Sequence, residues 1–158
     1  MLLLCWGVVG FQCLYYFPLL PGTVASHFDG AGRANGWSTK AAFFVLYLIL
    51  TALMSFVFFV LPRLLGRIPT SLINLPHRDF WLAPERKQKA LKMLGEDMES
   101  FGVVTMTLIL CTIQLAIEAN LEGGNGLRAG VMWLLVGGYL VYTGLWIIRI
   151  YRRFRIPS

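Results

Sequence analysis

AAFFVLYLILTALMSFVFFVL, residues 41–61, carries no charged side chain. A helix needs about 20 mostly apolar residues to cross the hydrocarbon core of a bilayer, and this stretch supplies them. Three further runs have the same character: Met1–Leu20, Phe101–Ala119 and Ala129–Ile150. Together they account for most of a 158-residue chain that is 57% hydrophobic, with a mean hydropathy of +0.66. A soluble domain has nowhere to hide that much apolar surface, so lipid must cover part of it. The reading is a single all-α domain over residues 1–158. It is an integral membrane bundle of four transmembrane helices, at about 1–20, 41–61, 101–119 and 129–150. An ordered extracytoplasmic loop, 21–40, joins the first two, and a cytoplasmic loop, 62–100, joins the second and third.

Charge sets the orientation. Arg63, Arg67, Arg78, Arg86, Lys87, Lys89 and Lys92 fall in the second connection, and Arg149, Arg152, Arg153 and Arg155 at the C-terminal end. Only Arg33, Lys40 and Arg128 fall on the other side. Basic residues collect in the cytoplasm, so the middle loop and both termini are expected there. The net charge of +6 reflects this topology and not nucleic-acid binding. Arg152-Arg153-Phe154-Arg155 adjoins a span, where basic side chains bind anionic lipid. Thr23-Val24-Ala25 offers small residues suited to signal cleavage. The apolar stretch before it is long for a signal core and no basic residue precedes it, so a retained helix is expected. The abrupt apolar start also fits a native protein that begins upstream.

The outer loop contains its own punctuation. Pro18 and Pro21 stop the first helix. Thr23–Phe28 suits an extended segment, and Gly30, Gly32 and Asn35-Gly36 are turn formers. Trp37 suits a membrane–water boundary, and Ser38 or Thr39 can cap the second helix. In the other loop, Ile68–Ala83 is apolar, aromatic and broken by Pro69 and Pro76. It is expected to lie along the interface, with Phe80 and Trp81 as anchors. Pro84 fits the first turn of an amphipathic helix to about Ser100 that flows into the third span. Leu91, Leu94 and Met98 recur at helical spacing, opposite a charged face ending in Glu96, Asp97 and Glu99. That face is ordinarily a solvated connector; docking of a cytoplasmic protein partner is the functional alternative.

The fourth span carries Gly130, Gly137 and Gly144 at seven-residue spacing, a stripe along which another helix can approach closely. The first expectation is packing against another span of this chain, and the alternative is a homodimer seam. Trp133, Tyr139, Tyr142, Trp146 and Tyr151 fit lipid-facing or boundary positions. Cys5, Cys13 and Cys111 all lie in apolar runs without a CxxC partner and read as small buried hydrophobes.

Polar side chains inside a span are costly, which makes them functional candidates. Gln12 lies in the first span. Gln114 and Glu118 are four apart in the third, hence on one face. A rise of about 1.5 Å per residue places Glu118 about 25 Å beyond Phe101, near the outer boundary. His27, Asp29 and Arg33 of the outer loop belong at that level. A cluster of these four is the candidate ligand-binding site, with a plain salt bridge between loop and bundle as the structural alternative. His27 and Asp29 are too few ligands for a tetrahedral metal site, and no cofactor or metal is expected. No phosphate loop, nucleotide fingerprint, GxSxG or HExxH is present, so no enzymatic activity is assigned.

The stretch Leu20-Pro21-Gly22-Thr23-Val24-Ala25-Ser26-His27-Phe28, with Gly32, Asn35-Gly36-Trp37 and Lys40, resembles the signature of a bacterial membrane domain of unknown function. That domain also occurs in the N-terminal part of SdpI-type immunity proteins, which protect producing bacteria from their own secreted toxin. Ile73-Asn74-Leu75-Pro76 and Asp79–Arg86 resemble a second stretch found in stand-alone members. The resemblance covers about residues 1–120 and makes His27, Gly32, Gly36 and Trp37 the shared loop positions. SdpI-type proteins are longer, with additional spans, and are also associated with sequestering a small repressor at the membrane. The resemblance implies a bacterial inner-membrane protein that binds a ligand or toxin, with a role in immunity or envelope-stress signalling. The alternatives are a structural subunit of a membrane complex and a small metal-linked membrane enzyme.

Overall fold

The computed structural model describes residues 1–123 and 126–156. Its long helices are α1 (Leu2–Tyr16), α2 (Lys40–Arg67), α3 (Pro84–Leu121) and α4 (Ala129–Arg153), with short helical turns at Thr70–Leu72 and Arg78–Trp81. Between α1 and α2 the chain forms an antiparallel hairpin of β1 (Thr23–Phe28) and β2 (Ala34–Thr39). The all-α reading therefore holds for the bundle and misses the hairpin. Its turn lies at Asp29–Arg33, and Asn35-Gly36 is in β2, not in a second turn.

α2, α3 and α4 are long and apolar enough to cross a membrane; α1 is apolar but has only 15 residues. At about 1.5 Å per residue it covers about 22 Å of a core about 30 Å thick. The expected first span is shortened because the helical ladder stops ahead of Pro18 and Pro21. Leu19 and Leu20 both turn back to the Tyr16 carbonyl. Lys40 then ties the end of α1 to the start of α2, its Nζ donating to the Phe17 and Leu20 carbonyls at 3.0 Å each. Thr39 caps α2, accepting from the Ala42 N–H at 3.2 Å. Large apolar side chains face outward along the bundle, among them Leu3, Leu14 and Leu134 at 87%, 83% and 76% exposed. That surface suits lipid and not water.

α2 widens at Phe56–Val60, where the Leu61 N–H reaches back to the Phe56 carbonyl, five residues away. Pro62 follows at once. It brings no N–H, and its ring conflicts with the carbonyl four residues back, so the wide turn relieves the ladder there. This bulged segment crosses α3 at Gly102. A Cβ on Gly102 would stand 2.3 Å from Cβ of Phe58 and 2.9 Å from its Cγ. The helices meet here only because residue 102 has no side chain. Gly102→Ala is expected to lower stability by about 1–3 kcal/mol, the range for overpacking. Thermal unfolding in mild detergent measures this, and an unchanged midpoint would contradict the close crossing.

α3 is one uninterrupted helix of 38 residues, with Pro84 in its first turn, so the amphipathic segment does flow into the third span. The segment before it differs from expectation. Trp81 is buried with Ile73, Leu75, Ala90, Ile150 and Phe154, and its Nε1 donates to the Phe154 carbonyl at 2.7 Å. Phe80 is half-buried, beneath the Arg86 guanidinium. Trp81 is thus a core residue and not an interface anchor. Leu91 and Leu94 pack against the same cluster, and Met98 is half-buried, so the face read as a docking surface is already partly covered by this chain.

The glycine stripe is a second correction. Gly130, Gly137 and Gly144 are exposed, and nothing lies within 4 Å of a Cβ built on any of them. α4 instead packs on α3 through its aromatic face. Tyr139 meets Thr105 at 2.9 Å, Trp146 Nε1 donates to the Asp97 carbonyl at 3.0 Å, and Phe101 is enclosed by Tyr139, Tyr142 and Trp146. Aromatic side chains bury more surface than a glycine groove does, and they take the interface. Of the five aromatics expected to face lipid or its boundary, Trp133 and Tyr151 are exposed.

Candidate functional site

The hairpin is held on the bundle by groups that spacing alone does not reveal. β1 and β2 slip register between Ala25 and His27, leaving Ser26 without a partner in β2. Beside this bulge, Asn120 of α3 acts as a surrogate strand. Its Oδ1 accepts from the Ala25 N–H at 2.7 Å, and its Nδ2 donates to the Ala25 carbonyl at 2.9 Å. At the turn, the Leu127 N–H donates to the Gly32 carbonyl at 2.7 Å and Trp133 Nε1 to the Gly30 carbonyl at 2.9 Å. Gly32 sits at φ +83°, and a Cβ there would also strike the Leu127 carbonyl at 2.3 Å. Only glycine satisfies both conditions.

Asp29 organises the turn. Its Oδ1 accepts from the Ala31 and Arg33 N–H groups at 2.9 Å, and its Oδ2 from Arg33 Nε at 2.9 Å. The Arg33 N–H, foremost, holds the carboxyl below the usual carboxylate range, helped by the Arg33 side chain and the Ala31 N–H. A depressed folded pKa gives stability that is present above the unfolded value of about 3.9 and lost as pH falls through the folded one. The Arg33 amide resonance is expected to titrate with a midpoint below 3.9; a midpoint at or above it would contradict this role.

His27 lies over Gly36, where a Cβ would come within 3.0 Å of its own Cβ, so the glycine makes room for the imidazole. With Ser26, Trp37, Ser38 and Tyr47 it borders a hollow of about 370 Å³ between the hairpin and α2. The four expected ligand-binding residues therefore do not form one cluster. Asp29 pairs with Arg33 within the turn. Glu118 pairs with Arg128 at 3.5 Å, and among the described residues no ion pair joins it to His27 or Arg33. Arg128, immediately before α4, is closer in chain and space and takes the carboxylate.

Glu118 belongs to a longer polar chain through the bundle. Tyr47 of α2 donates its hydroxyl to Gln12 Oε1 of α1. Gln12 Nε2 donates to Gln114 Oε1 of α3 at 3.0 Å and, at 3.3 Å, to the Leu110 carbonyl. Gln114 Nε2 donates to the Tyr16 hydroxyl and to Glu118 Oε1, both at 3.1 Å. Arg128 closes the series, 3.5 Å from Glu118 and 3.2 Å from Glu122. Buried polar groups cost several kcal/mol unless paired, and here each amide finds partners on a neighbouring helix. The series runs from the interior to the hairpin end.

Gln12, Gln114, Glu118 and Arg128 line one side of a cleft of about 520 Å³ among α1, α3 and α4. Val8, Phe11, Leu110, Cys111, Leu115, Val131 and Leu135 make up the rest, so the cleft is apolar with a polar seam. Residues 1–51, which comprise α1, the hairpin and the start of α2, match the family model described as a domain of unknown function (DUF1648). No curated protein and no solved structure matches the chain.

Gln12, Gln114 and Glu118 stood out in the sequence because amides and acids are rare in apolar runs. Tyr47 did not, since a tyrosine is unremarkable there. Asn120 and Arg128 lie at helix ends, where polar residues are ordinary. No group of three or more His, Cys, Asp or Glu side chains converges among the described residues. Cys5, Cys13 and Cys111 are free thiols.

Proposed function

We propose that this chain is a non-enzymatic, multi-pass protein of the bacterial inner membrane. It binds an amphiphilic ligand in the cleft among α1, α3 and α4, beneath the hairpin. One observation carries this reading: an apolar cleft of ligand size holds a continuous polar seam that ends in an Arg–Glu cluster. Binding sites are typically concave and mostly apolar, with a few placed polar groups that fix orientation. The topology that suits this reading is four spans with both termini cytoplasmic, α1 included, and with the hairpin outside. The distribution of Lys and Arg supports it.

The resemblance of the hairpin segment to SdpI-type proteins points to immunity against a membrane-active toxin, or to envelope-stress signalling, as the biological role. The half-covered face at Leu91, Leu94 and Met98 would then answer to a protein partner on the cytoplasmic side. His27, Asp29 and Arg33 shape the hairpin without lining the cleft, and Glu118 contacts the ligand.

A pull-down from mild detergent tests the reading, using wild type, Val131→Trp and His27→Ala at equal membrane levels. Val131→Trp adds bulk to the apolar wall of the cleft, leaves the residues of the polar seam unchanged and is expected to lose whatever co-purifies. His27→Ala is expected to retain it or to weaken it modestly. Equal recovery by the cleft-filled variant would contradict the proposal. A structural-subunit reading has one observation in its favour, the open glycine stripe on α4. It predicts instead that Gly137→Leu releases a stable partner or a second copy.

A further inference from the structure

The hollow between the hairpin and α2 shares no lining residue with the cleft. Its construction is specific. In a regular strand successive side chains point to opposite faces. The bulge between Ala25 and His27 breaks that alternation, and Ser26 and His27, neighbours in β1, both border the hollow. Trp37 and Ser38, neighbours in β2, border it from the other strand. Gly36 leaves the room in which the imidazole lies. Ser38 stands opposite Val24, a core residue, so its side chain turns toward the bundle. There its Oγ is buried, with no hydrogen-bond partner among the described residues. An orphaned buried hydroxyl costs free energy, and an acceptor on a ligand relieves it.

Charge and shape narrow the occupant. Among the described residues no Lys, Arg, Asp or Glu borders the hollow, so a carboxylate, phosphate or ammonium would lie there unpaired. The hairpin supplies the Ser26 and Ser38 hydroxyls and the ring N–H groups of His27 and Trp37, all of them able to donate. A carbonyl oxygen suits such donors. Tyr47 lends only its ring, since its hydroxyl is spent on Gln12 Oε1. The rest of the lining is apolar, with Phe43, Leu46, Leu50 and Ile113 foremost. Aromatic side chains at Trp37, Phe43 and Tyr47 favour a flat ring. A volume of about 370 Å³, near the lower end for ligand sites, takes one ring system and not a whole lipid. Leu46 and Leu50, 64% and 38% exposed, put one rim of the hollow on the apolar flank of the bundle, where a lipid-soluble tail can leave.

We infer that this hollow binds the head of a quinone-class membrane molecule, an uncharged flat ring whose carbonyl oxygens accept from Ser38 and His27 and whose tail lies among the lipids. The site holds whether or not the cleft takes a ligand, and no redox step is assigned to it.

The test uses the full chain in phosphatidylcholine nanodiscs, with empty nanodiscs as the partition control. A decyl-substituted benzoquinone is the probe, and decylbenzene, which lacks the carbonyls, is its comparison. Probe held by the separated discs is measured by chromatography across a titration. Wild type is expected to hold the quinone saturably above the empty-disc level, and decylbenzene about tenfold more weakly, as for two missing hydrogen bonds. Ser38→Ala is expected to weaken the quinone about fivefold, as for one lost hydrogen bond, and to leave decylbenzene unchanged. Ala42 is exposed, so Ala42→Phe adds bulk at the hollow and leaves the core residues unchanged; it is expected to remove saturable binding. Val131→Trp, in the separate cleft, is expected to change nothing. Quinone held no better than in empty discs, or no better than decylbenzene, overturns the assignment. So does binding that ignores Ser38→Ala or Ala42→Phe, and so does binding lost in Val131→Trp, which would move the site to the cleft.

Discussion

Asp97→Ala is expected to lower stability by about 3 kcal/mol, the lower end of the range for breaking a buried ion pair. The Asp97 side chain has no solvent exposure; its Oδ1 lies 2.8 Å from Arg153 and 3.3 Å from Arg149. Its backbone carbonyl accepts from Trp146 Nε1 and from the Ser100 hydroxyl. One residue therefore joins the middle of α3 to the last turns of α4. Removing the carboxylate leaves Arg153 with Glu96 alone, at 2.6 Å, and that remaining pair keeps the loss from being larger. Asp97→Asn preserves shape but not charge and is expected to fall between. Thermal unfolding in detergent, read against Glu99→Ala on the exposed Arg63 pair, measures the difference. Asp97→Ala no more harmful than Glu99→Ala would contradict the proposed clamp.

Asn120→Ala is expected to release the hairpin, at a cost of about 2–6 kcal/mol. The mutation strands the N–H and the carbonyl of Ala25, which is itself buried, and each orphaned group costs about 1–3 kcal/mol. Unlike the Asp97 change, this one acts locally. The bundle should remain folded while β1 and β2 become open to proteolysis and fast amide exchange. Asn120→Asp retains only the acceptor side and should be nearly as damaging. Unchanged protease resistance at residues 23–39 would mean that the contacts at Gly30 and Gly32 hold the hairpin unaided.

These two residues also mark where the sequence stops being informative. The helices were legible because a long apolar run in a chain this hydrophobic has few other solutions, and the bounds of α2 and α4 lie close to the runs that define them. Thr39 and Pro84 marked helix starts because each has a specific backbone role. Asp97 read as part of a solvated acidic face with Glu96 and Glu99. Its burial depends on where Arg149 and Arg153 arrive, more than fifty residues away. Asn120 stands at the end of a span, where a polar residue carries no signal. The hairpin was half legible: Thr23–Phe28 read as extended, but Asn35-Gly36 imitated a turn when its glycine is needed to seat His27.

The candidate site was legible in composition but not in geometry. Gln12, Gln114 and Glu118 stood out as polar groups in apolar runs, and they do form one chain. The partner assigned to Glu118 was the wrong one, since spacing places Arg33 and Arg128 at the same level and cannot choose between them. The expected packing of the glycine stripe on another span of this chain failed for a related reason. Periodicity identifies a face, but the aromatic residues of the same helix compete for the interface and win it.

The cleft is the central claim, and a photo-crosslinker placed in it tests that claim most directly. A benzophenone side chain at Val131 faces the cleft, whereas the same group at Leu134, on the exposed flank of α4, does not line it. The account predicts one defined adduct at Val131 in native membranes, weakened by Glu118→Gln, and only diffuse lipid labelling at Leu134. Equal labelling at both positions, indifferent to Glu118, would mean that the cleft is merely lipid-facing surface and would contradict it.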